Sequence, residues 1–114
     1  MDSKKIREFV ENELLYLGVD PANKGFQCIT ECILYYILNG KDFHRVSLIK
    51  ELYPAIAELI GTTDKCVETR TRKAVKKCIL NSTTFPVEIC ERNSGKVTNR
   101  TFLAYVLLEV KLKI

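Results

Sequence analysis

Histidine is nearly missing from this chain: His44 is the only one. A zinc site needs about four ligands, usually in closely spaced pairs, and one histidine with irregularly spaced cysteines supplies no such set. There is also no glycine-rich phosphate loop and no nucleophile beside a base, so neither an enzyme nor a cofactor-binding protein is expected. His44 lies in the polar stretch Lys41-Asp42-Phe43-His44-Arg45 and reads as a solvated loop residue. Glu11 and Glu13, which could resemble a carboxylate pair, read as part of a solvent face. Long apolar runs are missing too. No stretch approaches the roughly 18 apolar residues of a membrane-spanning helix. The N-terminus, MDSKKIREFVENELL, turns amphipathic and acidic at once and lacks the apolar core of a signal peptide. The expected address is therefore cytoplasmic, with no membrane partner.

The five cysteines, Cys28, Cys32, Cys66, Cys78 and Cys90, make an odd and irregular set. In a cytosolic chain this argues against a disulfide framework and for buried or half-buried free thiols, which behave as small hydrophobes. With 114 residues, 46% hydrophobic and 28% charged, the chain suits one domain, residues 1–114, around one modest core.

The charge is distributed unevenly. Between Thr62 and Leu80 stand Lys65, Arg70, Arg72, Lys73, Lys76 and Lys77 against only Asp64 and Glu68. That stretch accounts for the whole net charge of +4, and the remaining acidic and basic residues cancel. A positive charge confined to one short element is an electrostatic footprint whose commonest target is a polyanion.

Apolar periodicity predicts an all-α bundle of five to six helices. The first, Ser3 to Leu17, carries Ile6, Phe9, Val10, Leu14 and Leu17 on one face, with Ser3 as its cap and Gly18 as its stop. The second, Gly25 to Leu38, has an apolar stripe wide enough for a central helix packed on several sides. Ser47 to Leu52 reads as a short helix with Leu48, Ile49 and Leu52 inward. Pro54 to Ile60 reads as a separate one, because proline suits a first turn; Ile56, Ala57 and Ile60 are its buried residues. Gly61 then makes a tight turn, and Thr62 or Thr63 caps a helix from Asp64 to Leu80. On that helix Val67, Thr71, Ala74, Val75 and Cys78 fall on one side, and Lys65, Thr69, Arg72, Lys73 and Lys76 on the other. Short helix, glycine turn and longer helix form a helix-turn-helix. A polar connection from Asn81 to Val97 leads to a last helix. Thr98-Asn99 caps it, and Phe102, Leu103, Val106, Leu107 and Val110 are its apolar face.

The second helix of a helix-turn-helix enters the major groove with its first turns against base edges. Lys65, Cys66, Glu68 and Thr69 occupy those turns, where glutamate can accept from a cytosine amino group and threonine can pack on a thymine methyl. Arg72, Lys73 and Lys76 lie further along and suit phosphates.

Several short motifs occur in order: Leu17-Gly18-Val19, Lys24-Gly25-Phe26, Leu52-Tyr53-Pro54-x-Ile56-Ala57, Thr62-Thr63-x-x-x-Val67-Glu68 and Thr98-Asn99-x-x-Phe102. In this order the chain, from about Leu15 to its end, resembles the C-terminal DNA-binding domain of the stage-zero sporulation response regulator family. The resemblance implies an all-α domain of about six helices, sequence-specific duplex binding and head-to-tail dimers on tandem sites. It implies that Asp64 to Leu80 reads bases, with Glu68 and Arg72 retained and Lys73 in place of a family histidine. Cys66 and Thr69 stand where the family places base-reading arginines. Arg70 and Thr71 replace small and aliphatic residues, and Thr101 replaces an acid near the last helix's start. Losing two bidentate guanine contacts removes about 1–3 kcal/mol of discrimination each, so the target sequence is expected to differ. The family's receiver domain is expected to be missing.

The sequence therefore points to a sequence-specific, nucleoid-associated transcription regulator that binds double-stranded DNA, as a homodimer or as a heterodimer with a related regulator. The alternative is a stand-alone interaction module that pairs with or antagonises a full-length relative.

Overall fold

The computed structural model describes residues 2–81 and 97–114. All its regular elements are helical, as the periodicity predicts: α1 (Ser3–Leu17), α2 (Lys24–Leu38), α3 (Tyr53–Ile60), α4 (Asp64–Asn81) and α5 (Asn99–Lys113). A 3₁₀ turn, Phe43–Arg45, and a π-helical turn, Leu48–Leu52, lie between α2 and α3. The expected polar connection after Asn81, and Cys90 within it, lie outside the described residues.

The ends of α1 are set by local chemistry. The cap is Asp2 and not Ser3: the Asp2 carboxylate accepts the Lys4 N–H at 2.7 Å. Aspartate does this at least as well as serine and carries a charge that suits the positive helix end. At the other end Gly18 takes φ 94°, the Gly18 N–H reaches the Leu15 carbonyl, and the Val19 N–H reaches that of Leu14. This Schellman pairing closes the helix and turns Val19 into the core.

Helix α2 is central, as its wide stripe implies. It packs against each of the other four helices. Phe26, Cys28, Ile29, Cys32, Ile33, Leu34 and Tyr36 are all buried along it. Its first turn, where the Asn23 side chain accepts the Gly25 N–H at 2.8 Å, lies directly on α4. A Cβ on Gly25 would collide with the Arg70 carbonyl oxygen and the Ala74 side chain.

The two short helices expected around Pro54 are present, with the proline in the first turn of the second, but no break separates them. Leu52 and Tyr53 both have right-handed helical dihedrals, so the backbone runs unbroken from Leu48 to Ile60. Ser47 caps this rod, its hydroxyl accepting the Lys50 N–H at 3.1 Å. Proline has no N–H, and its ring crowds the carbonyl four residues back. The wide turn ahead of it makes room, with Leu52 N–H donating to the Ser47 carbonyl and Tyr53 N–H to that of Leu48. The extra residue per turn changes the phase of the side chains. Leu52 is buried as expected, but Ile49 is turned out and 73% exposed, and Ile60 is only half-buried.

Helix α5 buries Phe102, Leu103, Val106, Leu107 and Val110, the face the periodicity assigns. Its far end corrects the reading of the acidic pair on α1. Glu11 is half-buried, and Glu13 is 2% exposed where it receives Lys113 Nζ at 2.8 Å. The packing of α5 across α1 makes Glu13 an anchor; helical phase alone had placed it toward solvent. The bond to Glu13 in turn pushes the Lys113 ammonium above its ordinary range. A second ion pair, Arg7 to Glu31 at 2.6 Å, ties α1 to α2.

Cys28, Cys32 and Cys78 are buried free thiols, as expected, while Cys66 is exposed. Burial pushes the Cys78 thiol up to about 11, and that thiol donates to the Leu17 carbonyl at 3.1 Å. Among the described residues no group of three or more His, Cys, Asp or Glu side chains could hold a metal, and no helix is long and apolar enough to cross a membrane.

Two stability outcomes follow from α4's buried side. Gly25→Ala should lower the denaturant midpoint by the equivalent of about 1–3 kcal/mol, although alanine favours helix, because the overlap is with backbone. Thr71 is fully buried and its hydroxyl has no hydrogen-bond partner among the described residues. Thr71→Val should raise the midpoint by the equivalent of about 1 kcal/mol, and an unchanged or lower midpoint would contradict this.

Candidate nucleic-acid interface

Three residues, Gly61 to Thr63, separate α3 from α4. Gly61 ends α3 at φ 75°, a left-handed conformation that costs other L-residues about 1–2 kcal/mol, and open space surrounds the position a Cβ would take. Backbone geometry, not crowding, makes this residue glycine. Of the two candidate caps, Thr63 is the one used: its hydroxyl accepts the Cys66 N–H at 3.2 Å. Asp64 follows in the first turn, where its charge complements the helix dipole.

The buried side of α4 is Val67, Thr71, Ala74, Val75 and Cys78, the set assigned by phase. Lys65, Cys66, Arg72, Lys73 and Lys76 are exposed, and Glu68 and Thr69 are half-buried. The candidate residues therefore share one side of one helix, but they do not act independently. The Glu68 carboxylate receives Arg72 Nε at 3.1 Å and the Thr69 hydroxyl at 3.3 Å. Glu68, Thr69 and Arg72 thus form one hydrogen-bonded group, while Lys65, Lys73 and Lys76 form no ion pair among the described residues. Arg70 is half-buried beside Cys28 of α2, where its charge opposes the burial that pushes that thiol up.

Cys66 has an unusual environment for an exposed thiol. Hydrogen bonds from the hydroxyls of Thr63 and then Thr62 hold it below the ordinary thiol range, with a smaller contribution from the nearby Arg70 charge. The thiolate is the nucleophilic form.

Sequence reasoning left two residues of α5 out of the site. Asn99 bridges the helices: its side-chain amide donates to the Tyr53 hydroxyl at 3.1 Å and more weakly to the Glu68 carbonyl at 3.5 Å. Arg100 is exposed, stacks over the Phe43 ring at 5.4 Å, and lines the same groove as Arg72 and Lys76. The Thr98-Asn99 motif carried a signal for Asn99. For Arg100 the only signal was a positive charge close to a helix start.

The chain matches, over residues 10–110, the family model described as Sporulation initiation factor Spo0A C terminal. The chain belongs to that family. No curated protein matches it. The Spo0A C-terminal family is the DNA-binding domain of a sporulation transcription factor, binds double-stranded DNA and is not known to be enzymatic.

The cysteine chemistry can be read directly. With iodoacetamide the alkylation of Cys66 should rise with pH through a midpoint below that of an ordinary exposed cysteine, because its thiolate forms earlier. Cys28, Cys32 and Cys78 should stay silent in the native protein. Thr63→Val should move the Cys66 midpoint upward; peptide mass mapping separates the sites. A midpoint at or above the ordinary value would contradict the hydrogen-bonded geometry.

Proposed function

We propose that this chain is a sequence-specific transcription regulator that places α4 in the major groove of double-stranded DNA. The single observation that carries the reading is the exposed side of α4. Lys65, Lys73 and Lys76 project from it without carboxylate partners among the described residues, while the opposite side is anchored in the core. Lys65, Cys66, Glu68 and Thr69 face bases in this arrangement, and Arg72, Lys73 and Lys76 neutralise phosphates. Glu68 reaches a base with one oxygen while Arg72 and Thr69 steady the carboxylate. The domain acts in the cytoplasm at the nucleoid, as one unit over residues 1–114. It binds tandem sites as a head-to-tail homodimer or beside a related regulator.

A second reading is favoured by Cys66 and Thr69, which cannot make the bidentate guanine contacts of arginine. In this reading the chain is a stand-alone module that pairs with or antagonises a full-length relative. It predicts weak binding that ignores DNA sequence, together with a measurable complex with that relative.

Selection of bound duplexes from a random pool, joined to a salt titration, separates the two. The first reading expects an enriched sequence and a slope of log K against log salt of roughly −4 to −5, for four to six phosphate contacts. Lys73→Ala should weaken binding to all duplexes alike, and Thr69→Arg should change the enriched sequence. Binding indifferent to salt between about 50 and 200 mM would rule out docking through α4. A salt-sensitive interaction with no enriched sequence would favour the second reading.

A further inference from the structure

The charges of α4 account for only part of the cationic surface around it. At the start of α5 stands Arg100, next to the capping pair Thr98 and Asn99. Asn99 fixes this helix start against α3 and α4 through Tyr53 and the Glu68 carbonyl. The guanidinium of Arg100 lies over the Phe43 ring at 5.4 Å, and Phe43 leans on the buried Tyr36 ring at 5.2 Å. Arginine favours this kind of stacking because its planar cation is weakly hydrated and attracted to the ring face. The side chain is therefore oriented by an aromatic group and not neutralised by an acid, since Arg100 has no ion pair among the described residues. Arg72, its neighbour along the groove, is by contrast engaged with Glu68.

We propose that Arg100 is a second arm of the DNA-binding surface, contacting a phosphodiester of the duplex backbone beside the groove that α4 enters. The proposal rests on the docking of α4 put forward above. Its physical content is preorganisation. A guanidinium already held on Phe43 presents a rigid fork to a phosphate and loses less rotamer freedom than a free lysine. The contact reads no sequence; it adds affinity and sets the angle at which α4 lies. The start of α5 carries the positive end of its helix dipole, which attracts the negative charge of a phosphate.

Duplex binding of the full chain, titrated with salt, tests this on four single variants and one double variant. Arg100→Ala should weaken binding about fivefold near 0.15 M salt, on every duplex alike, and make the salt slope shallower by about 0.9, the loss of one phosphate. Arg100→Lys should keep the slope and recover only part of the affinity. Phe43→Leu should weaken binding with the slope unchanged, and should add nothing further in the Arg100→Ala background. Lys73→Ala serves as the reference for α4 itself. If Arg100→Ala matches wild type in affinity and slope while Lys73→Ala loses both, the second arm is wrong and docking through α4 stands. An equal further loss from Phe43→Leu in the Arg100→Ala background would overturn the stacking role. Failure of the wild-type chain to bind any duplex would remove both readings together.

Discussion

At the first turn of α2 the chain brings two helices together with no side chain between them. Gly25 sits where a Cβ would overlap the Arg70 carbonyl and the Ala74 side chain, so the backbone of α2 lies directly against α4. This approach sets the depth of α4 in the bundle. It leaves Val67, Ala74, Val75 and Cys78 in the core and the charged side outside. The same α2 packs on α1, α3 and α5, so a shift at this crossing would move the whole helix-turn-helix relative to its support. Cores are close-packed and do not absorb a methyl group without displacement somewhere else.

The support for α4 comes from three directions. Gly61 and Thr63 set where it begins, the crossing at Gly25 holds its middle, and Asn99 ties it to the start of α5. Against this rigid frame its six cations divide by environment. Arg70 lies beside Cys28, and Arg72 is engaged with Glu68. Lys65, Lys73, Lys76 and Lys77 remain toward solvent, which is the arrangement a polyanion would meet. A cluster of six positive charges in the sequence is thus a smaller but better-oriented set on the surface.

Much of this was legible in the sequence. The inward faces of α4 and α5 follow from a 3.6-residue period because each helix meets the core along one stripe, and a single phase describes one stripe. Caps and stops were legible to within a residue, since a glycine or a threonine acts through bonds to its immediate neighbours. The misreadings have specific causes. Ile49 reads as an inward residue, but the widened turn ahead of Pro54 changes the helical phase and turns it outward. Glu13 reads as solvated on its own helix and is buried because α5 crosses it and supplies Lys113. Arg100 stacks on Phe43, 57 positions earlier in the chain, and no local period could join them.

What the sequence determined by itself, then, is the class and the phase: an all-helical chain, a helix-turn-helix with its net charge on the second helix, and which side of that helix is apolar. These are local properties, written in spacings of three and four residues and in single capping side chains. Only the tertiary structure decided which of the charges are uncommitted, that Glu13 is an anchor, and that a cation from α5 stands beside α4. Each of these depends on side chains far apart in the chain meeting at a helix crossing. Crossings are set by the fit of whole surfaces, down to a single missing methyl at Gly25, and not by the pattern along any one helix.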